Sequence, residues 1–279
     1  MTAPQKKWFI TGVSSGLGRA LAAAVLDAGD RVAGTVRSDG AKREFEAFAP
    51  GRAHGFVLDV RETAAIGETV RAAESLGGID VLVNNAGYGL VGAVEEVSLA
   101  EARAQFDVNL FGPLALIQAV LPAMRQRGAG VIVNITSVSG LATWQGTGIY
   151  CASKFALEAV GETLAEEVAG LGIKVINVEP GGMRTDYASR SLTRAERKIA
   201  AYESTAHQSE RILANHAGHE SGDPAKMARA ILAVARMDKP PRNLLLGADA
   251  VHYATRRMGA LLAEIGHWAP LTLDTKFDP

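Results

Sequence analysis

The feature that most constrains this fold is a regular alternation of short Val- and Ile-rich runs with segments whose apolar residues recur at helical spacing. The strand-like runs are residues 8–11, 31–36, 54–58, 81–84, 131–135, 174–178 and 244–246. The helical patterns cover residues 18–29, 62–76, 99–124 (interrupted near 112–113), 150–169, 224–235 and 250–265. Such alternation favours a parallel sheet covered by helices on both faces. The sequence therefore predicts an α/β fold with a doubly wound parallel sheet of the Rossmann type.

One segment breaks this rhythm. Residues 183–220 are polar and charged, contain three histidines and show no strand pattern. The segment follows the sixth predicted strand, and ligands of open α/β sheets bind at the carboxyl ends of the strands. We therefore predict a substrate lid here. No linker or long-period repeat divides the chain, so residues 1–279 are predicted to form a single domain.

Charge and composition narrow the possible functions. Lys plus Arg (29) nearly balances Asp plus Glu (30), so no broad field attracts nucleic acid or anionic lipid. The single cysteine, Cys151, excludes an intramolecular disulfide, and no Cys or His cluster has the spacing of metal ligands. The strongest apolar stretch, 114–123, is far below the ~20 residues that span a bilayer. We expect a cytoplasmic protein without metal, membrane or nucleic-acid partners.

A glycine-rich turn follows the first predicted strand and opens the first helix, with the sequence Thr-Gly-Val-Ser-Ser-Gly-Leu-Gly at residues 11–18. Glycines there allow a tight turn and a close approach of backbone to a pyrophosphate, which the helix N-terminus stabilises. Any strand-to-helix turn can use glycine, so the placement in a βαβ unit carries the argument. The predicted cofactor contacts in the turn are Gly12, Ser14, Ser15, Gly16, Leu17 and Gly18.

Three further motifs follow in order: Asn84-Asn-Ala-Gly87, Tyr150-x-x-x-Lys154 and Pro180-Gly-x-x-x-Thr185. Together with the glycine turn they resemble the short-chain dehydrogenase/reductase family, in its standard single-domain branch. The resemblance is close over residues 7–186 and looser beyond. It implies an oxidoreductase that uses a nicotinamide cofactor.

Reduction of a ketone by hydride needs a proton donor, and the resemblance makes Tyr150 that donor. A neutral tyrosine has a pKa of about 10. Lys154 lies one helical turn further on the same face, where its ammonium favours the tyrosinate. The resemblance also implies that Lys154 binds the ribose, that Ser137 donates to the substrate carbonyl, and that Asn109 anchors a water of a proton relay.

Each of these residues has a simpler interpretation. Tyr-x-x-x-Lys is a common surface pattern, Asn109 could mark a helix kink beside Gly112, and Ser137 could be an ordinary strand-end hydroxyl. Ser139 competes with Ser137, although the family's spacing to the tyrosine favours Ser137. It is the combination with the glycine turn that favours the catalytic interpretation.

The resemblance assigns further cofactor contacts. Asp59 and Val60 fit the positions beside the adenine ring, with a strand-end cap as the alternative. The remaining predicted contacts are the backbone of Asn85, Ala86 and Gly87 along the cofactor, and Pro180, Gly181 and Thr185 at the nicotinamide. Asn84 is expected to be structural.

The choice between nicotinamides depends on the end of the second predicted strand. NAD-preferring sites place an acidic residue there for the ribose hydroxyls. This chain has Val36 and then Arg37, whose guanidinium suits a 2′-phosphate, with Ser15 and Ser38 as further hydroxyl donors. Asp39 could partly neutralise Arg37. NADP(H) is favoured and NAD(H) is possible.

The expected activity is reduction of a ketone or aldehyde to an alcohol, or the reverse. The alternatives are an epimerase or dehydratase on the same fold, a catalytically silent dinucleotide sensor, and an NAD-dependent alcohol dehydrogenase. A hydrophobic substrate fits the apolar residues of the lid and its surroundings: Leu141, Trp144, Met183, Tyr187, Ile199, Tyr202, Ile212 and Leu213. Small apolar residues on helices 99–124 and 150–169 predict a homodimer or homotetramer.

Overall fold

The computed structural model describes residues 5–185 and 191–277. The strands are β1 Lys7–Ile10, β2 Arg31–Val36, β3 Ala53–Val57, β4 Val81–Asn84, β5 Gly89–Val91, β6 Gly130–Ile135, β7 Ile173–Pro180, β8 Leu192–Arg194 and β9 Asn243–Leu246. The helices are α1 Gly16–Asp27, α2 Asp39–Glu46, α3 Thr63–Glu74, α4 Leu99–Phe106, α5 Gly112–Arg127, α6 Gly148–Glu167, α7 Ala206–His216, α8 Pro224–Val234 and α9 Ala248–Leu273.

Seven strands form one sheet in the order β3-β2-β1-β4-β6-β7-β9, and every neighbouring pair is parallel. The chain winds outward from β1 to β3 and then resumes on the other side with β4. The topological switch point therefore lies between β1 and β4, where open α/β sheets bind their ligands. The predicted doubly wound Rossmann-type fold is confirmed.

Helices cover both faces of the sheet. One apolar core lies between the sheet and α1, α2 and α8, and a second between the sheet and α3, α5 and α6. The first strand shows why both form: Trp8 and Ile10 belong to the first core, Phe9 to the second, and none is more than 1% exposed. Because both faces are buried, the strand is continuously apolar, and each such side chain contributes ~1.5–3 kcal/mol.

The segment from α4 to α5 is one continuous helical run with a π-helical section, Asp107–Phe111, in its middle. The predicted interruption near residues 112–113 lies instead in this section, just before them. The whole run, Leu99–Arg127, is long and apolar enough to cross a membrane by length and composition, and a third of its apolar window is buried. The apolar helix is therefore much longer than the stretch 114–123 that the sequence pattern singled out. Core helices of soluble proteins also meet this criterion of length and hydropathy.

The lid is more ordered than its sequence indicated. β8 pairs in parallel with β5 to form a separate two-stranded sheet, and α7 follows. The prediction of a lid segment without a strand was wrong, because a three-residue strand is too short to show an alternating pattern. Tyr187 lies outside the described residues, as do the other residues of 186–190.

The last helix, α9, is exposed over most of its length. Ala250 and Ala254 are buried at its start, whereas the residues after Ala254 are almost all exposed. The exposed side chains include Met258, Leu261, Leu262, Ile265, Trp268, Leu271 and Leu273. An apolar helix surface of this size normally meets another surface.

Candidate active site

Three positions of the turn between β1 and α1 favour glycine for steric reasons. Gly12 and Gly16 have φ values of +73° and +56°, the left-handed region that other residues avoid. A Cβ on Gly18 would lie 2.2 Å from the carbonyl oxygen of Gly12. Ser15 precedes α1, and its side chain makes no capping hydrogen bond. The first N–H groups of α1 thus lack a side-chain cap at the edge where an anion would bind.

Thr11 ties this turn to the loop after β4. Its Oγ1 accepts the backbone N–H groups of Asn85 and Ala86, both at 2.9 Å. The Asn85 Nδ2 donates in return to the carbonyl oxygen of Thr11 at 2.8 Å. The two backbone N–H groups and the Asn85 Nδ2 are therefore used in hydrogen bonds within the protein. A cofactor would meet other atoms of Asn85 and Ala86. Sequence reasoning gave Thr11 no role of its own.

Tyr150 and Lys154 lie in the first two turns of α6. The Lys154 Nζ is 6.0 Å from the centre of the Tyr150 ring and donates to the carbonyl oxygen of Ile135 at 2.9 Å. Burial lowers the pKa of Lys154 to about 8, while the nearby Glu158 acts in the opposite direction. An ammonium this close favours the ionised form of the tyrosine, as the sequence analysis required.

Asn109 lies beside these two residues, within the π-helical section. Its Nδ2 donates to Tyr88 O and Ser153 Oγ, both at 3.1 Å, and its Oδ1 accepts the Tyr88 N–H at 3.2 Å. A Cβ on Gly87 would lie 3.1 Å from Asn109 Oδ1 and 3.6 Å from Lys154 Nζ. Both side-chain donors of Asn109 are thus used within the protein. Its anchoring of a water stays a prediction.

Ser137 follows the carboxyl end of β6 and is half-buried, whereas Ser139 is buried. The Ser137 Oγ accepts the N–H of Ser139 at 3.0 Å, which orients the hydroxyl and leaves its proton to donate. This difference in exposure favours Ser137 over Ser139. Cys151 is buried against the Thr147 hydroxyl, with Oγ1 and Sγ 3.3 Å apart, and is a packed residue.

The loop after Pro180 is held by the start of α9. The Gly182 N–H donates to Asp249 Oδ2 at 2.7 Å, and a Cβ on Gly181 would lie 2.3 Å from Asp249 Oδ1. Thr185 reaches the glycine turn, since a Cβ on Gly16 would be 3.9 Å from its Cβ. Asp249 was missed by sequence reasoning, because a single aspartate far along the chain belongs to no motif.

Arg37 is exposed directly after β2, and no ion pair joins it to Asp39 among the residues that the structure describes. Asp39 begins α2, where the Ser38 Oγ accepts the N–H of Ala41 at 3.3 Å. The possible neutralisation of Arg37 by Asp39 is therefore not seen. Leu17 and Val36 are both buried in the first apolar core.

Asp59 faces an arginine that sequence reasoning did not include. Arg61 Nη2 lies 2.6 Å from Asp59 Oδ2, and Arg61 Nε donates to Oδ1 at 3.1 Å. The hydrogen bonds from Arg61 hold the pKa of Asp59 below its usual value, and the charge of Arg37 contributes. Val60 is buried beneath Gly112. Any contact of Asp59 and Val60 with adenine would therefore use mainly their backbone.

The lid is anchored by a buried carboxylate. Glu96 Oε1 lies 2.7 Å from His207 Nε2 and accepts the N–H of Ile199 at 2.6 Å. Burial raises the pKa of Glu96, but these hydrogen bonds and one from Ala93 outweigh it and hold the pKa at about 2. His207 thus lies on α7, within the segment predicted to be a lid. No group of three His, Cys, Asp or Glu within residues 5–185 and 191–277 could hold a metal.

Comparison with known proteins agrees with this geometry. Residues 6–196 match the short chain dehydrogenase family model. The chain is 37% identical to oxidoreductase BOA17 of Botryotinia fuckeliana, over 96% of this chain and 98% of that protein. It is 42% identical to human retinol dehydrogenase 8, over 69% of this chain and 63% of that protein. A solved short-chain dehydrogenase from Streptomyces avermitilis is 40% identical, with a TM-score of 0.92, covering 99% of this chain and 100% of that one.

Proposed function

The chain belongs to the short-chain dehydrogenase/reductase family of oxidoreductases, and on that premise we propose that it reduces a ketone or aldehyde to an alcohol with NADPH, or catalyses the reverse. The observation that carries this proposal is the buried ammonium of Lys154, 6.0 Å from the Tyr150 ring. A catalytically silent sensor would use Lys154 for the ribose alone, whereas an ammonium placed beside the Tyr150 phenol is what a proton donor requires.

In this mechanism the bound cofactor supplies the hydride that goes to the carbonyl carbon. Tyr150 gives its phenolic proton to the carbonyl oxygen, so that hydride and proton together complete the alcohol. Lys154 stabilises the tyrosinate that remains. Ser137 donates a hydrogen bond to the same oxygen and fixes its position for the transfer. In the oxidation direction Tyr150 accepts the proton instead.

The residues of the glycine turn fit a dinucleotide. Gly12 and Gly16 adopt backbone conformations that favour glycine, and the N-terminus of α1 lacks a side-chain cap. Thr185 lies opposite Gly16, so the turn and the loop after Pro180 approach each other at one edge of the sheet. This edge adjoins the switch point between β1 and β4, and supports the assignment of the predicted contacts.

We assign NADP(H) over NAD(H) because of the charges at the end of β2. Val36 stands where an NAD site would have a carboxylate, and Arg37 is exposed beside it. Arg61 adds a second guanidinium, although Asp59 compensates its charge. A 2′-phosphate would meet the Arg37 cation here, and β2 itself contains no carboxylate that would repel it.

The substrate that fits the surroundings of Ser137 and Tyr150 is hydrophobic. Trp144, on the loop between Ser137 and α6, stacks edge-on against Tyr253 of α9 with ring centres 5.3 Å apart. Retinol dehydrogenase 8 is named for a hydrophobic alcohol, which makes long-chain and cyclic apolar carbonyls the first compounds to try.

Assembly into a homodimer or homotetramer is part of the proposal, as is a cytoplasmic location. On α4 to α6, Leu99 is 71% exposed, and Phe111 and Phe155 are also exposed. The apolar side of α9 offers a second surface for another copy. Self-association would remove both surfaces from water.

The test is NADPH oxidation against a panel containing retinal, a cyclic ketone, a steroid ketone and short aliphatic ketones. Turnover of at least one apolar carbonyl, faster with NADPH than with NADH, is the expected result. Tight NADPH binding without turnover on the whole panel would favour the silent sensor, and a preference for NADH would favour the NAD-dependent alternative.

A further inference from the structure

Four asparagines stand in register across the sheet. Asn84, Asn134, Asn177 and Asn243 are direct neighbours on β4, β6, β7 and β9. Asn84 Nδ2 donates to Asn134 Oδ1 at 2.9 Å, and Asn134 Nδ2 donates to Asn177 Oδ1 at 3.1 Å. The row therefore forms a buried amide chain that points from the edge of the candidate site toward α6.

The chain leads to two carboxyl groups, Glu158 on α6 and Glu179 on β7. Asn177 Nδ2 donates to Glu158 Oε1 at 2.7 Å. Asn243 Nδ2 bridges the two residues, 3.0 Å from Glu158 Oε1 and 3.1 Å from Glu179 Oε1. The remaining oxygen of each, Oε2, is buried and receives no N–H or O–H from the described residues.

Two neighbouring buried carboxylates cannot both be charged without a large cost, whereas one shared proton satisfies both. Glu158 is the better anion, since its Oε1 accepts two amide N–H groups and its charge acts on Lys154. Burial raises the pKa of Glu179 to about 9, and the charge of Glu158 adds to this. Burial also raises the pKa of Glu158, against the hydrogen bond from Asn177.

Glu158 lies one turn beyond Lys154 on α6, a spacing that puts both side chains on one face of the helix, and its charge raises the pKa of Lys154 against burial. The other charged group facing the pair from α6 is Glu162, which is exposed. From β7 only Glu179 faces it, from β9 the neutral Asn243, and directly after β6 the neutral Thr136. Glu158 is thus the carboxylate whose charge acts on the buried ammonium from the same face of α6.

We propose that Glu158 is a positioning residue that keeps Lys154 charged, and that Glu179, by holding the proton shared between the two carboxyls, keeps Glu158 in place. The inference rests on the proposed function, because it assigns Glu158 its effect through the lysine of that mechanism. It also assigns a role to the asparagine row, since Asn177 and Asn243 hold the Glu158 carboxylate by hydrogen bonds.

The test compares Glu158→Gln, Glu179→Gln and the exposed control Glu162→Gln. NADPH Kd is measured from pH 6 to 9, with the pH profile of carbonyl reduction beside it. In Glu158→Gln, Lys154 should lose its proton at a pH about one unit lower, which weakens NADPH about fivefold near pH 8, close to tenfold at pH 9 and little at pH 6. Glu179→Gln keeps a donor toward Glu158, so its profile should match wild type. A merely structural Glu158 would lower Tm without moving the profile.

A second measurement needs neither cofactor nor turnover. The infrared spectrum of the wild-type protein at neutral pH should contain a buried protonated-carboxyl band that disappears in Glu179→Gln and stays in Glu162→Gln. Absence of that band, or a Glu158→Gln profile that overlies wild type, would overturn the inference. Lack of turnover on every carbonyl, with the band present, would instead count against the proposed function alone.

Discussion

Lys154 holds its Nζ 2.9 Å from the Ile135 carbonyl oxygen and 6.0 Å from the centre of the Tyr150 ring. The carbonyl fixes the ammonium at the end of β6, and helical spacing brings the tyrosine over it. A lysine that is 6% exposed has given up most of its hydration, so its field on the phenol is screened less than at a surface. This pair is the basis of the chemistry proposed above.

Replacing this lysine should affect binding and rate together. Lys154→Ala removes both the ribose contact and the charge that acidifies Tyr150, so we expect weaker NADPH binding and a loss of kcat of about 10²- to 10⁴-fold. Fluorescence titration and steady-state kinetics measure the two effects, with Lys174→Ala on β7, a half-buried lysine that no motif includes, as control. An unchanged NADPH Kd would contradict the ribose contact.

Cofactor preference should depend on Arg37. A charge-assisted hydrogen bond contributes roughly 1.5–3 kcal/mol, so Arg37→Ala should weaken NADPH ten- to hundredfold and leave NADH nearly unchanged. Val36→Asp should reverse the preference, since it supplies a ribose acceptor and repels the phosphate. The measurement is kcat/KM for both cofactors in all three proteins. A wild type that already prefers NADH would show that another group governs the site.

The lid contact between Glu96 and His207 should be strongest within a limited pH window. The pKa of Glu96 lies below its ordinary value, so its stabilisation is complete above about pH 4.5 and is lost as the pH falls toward about 2. The pKa of His207 is raised by Glu203 and Glu96, so its contribution is complete below about 6.5 and is lost as the pH rises through the raised value.

Hydrogen exchange of the α7 amides across this pH range measures the lid contact. After correction for the intrinsic rate, protection should be highest between the two limits. Glu96→Gln should abolish the acid limb, whereas Glu203→Gln, at the exposed partner of His207, should change it little. Protection that is independent of pH would contradict the proposed role of this ion pair.

Self-association should be visible in solution. Light scattering at micromolar concentration should give a dimer or tetramer. Leu99→Glu and Leu262→Glu place a charge on the α4–α5 surface and on α9, respectively, at side chains 71% and 69% exposed. Whichever variant lowers the mass identifies the surface that holds copies together. A wild type that is monomeric throughout would contradict the prediction.

Most of the fold and the catalytic residues could be predicted from the sequence, because both depend on local sequence patterns. Apolar periodicity located β2 and β4 at their observed bounds, and motif spacing placed Tyr150 and Lys154 on one face of α6. The predicted single-domain organisation stays a prediction. Helix α2 was missed because only Phe45 of its residues is buried, which leaves no apolar stripe to detect.

Contacts between distant segments could not be predicted in this way. Asp249 supports the loop after Pro180 across 67 residues, and Arg61 meets Asp59 through side-chain geometry rather than a motif. The asparagine row becomes visible only when the strand order and register are known, since its members come from four separate segments of the chain. Strand pairing, and not local propensity, creates these sites.

The most direct test of the central claim is Tyr150→Phe, which removes one hydroxyl and keeps the ring. We expect NADPH Kd to stay within about twofold of wild type, while single-turnover reduction of the best carbonyl substrate falls by at least about 10²-fold at neutral pH. A Phe variant that binds NADPH and reduces the substrate at close to the wild-type rate would contradict the role of Tyr150 as proton donor.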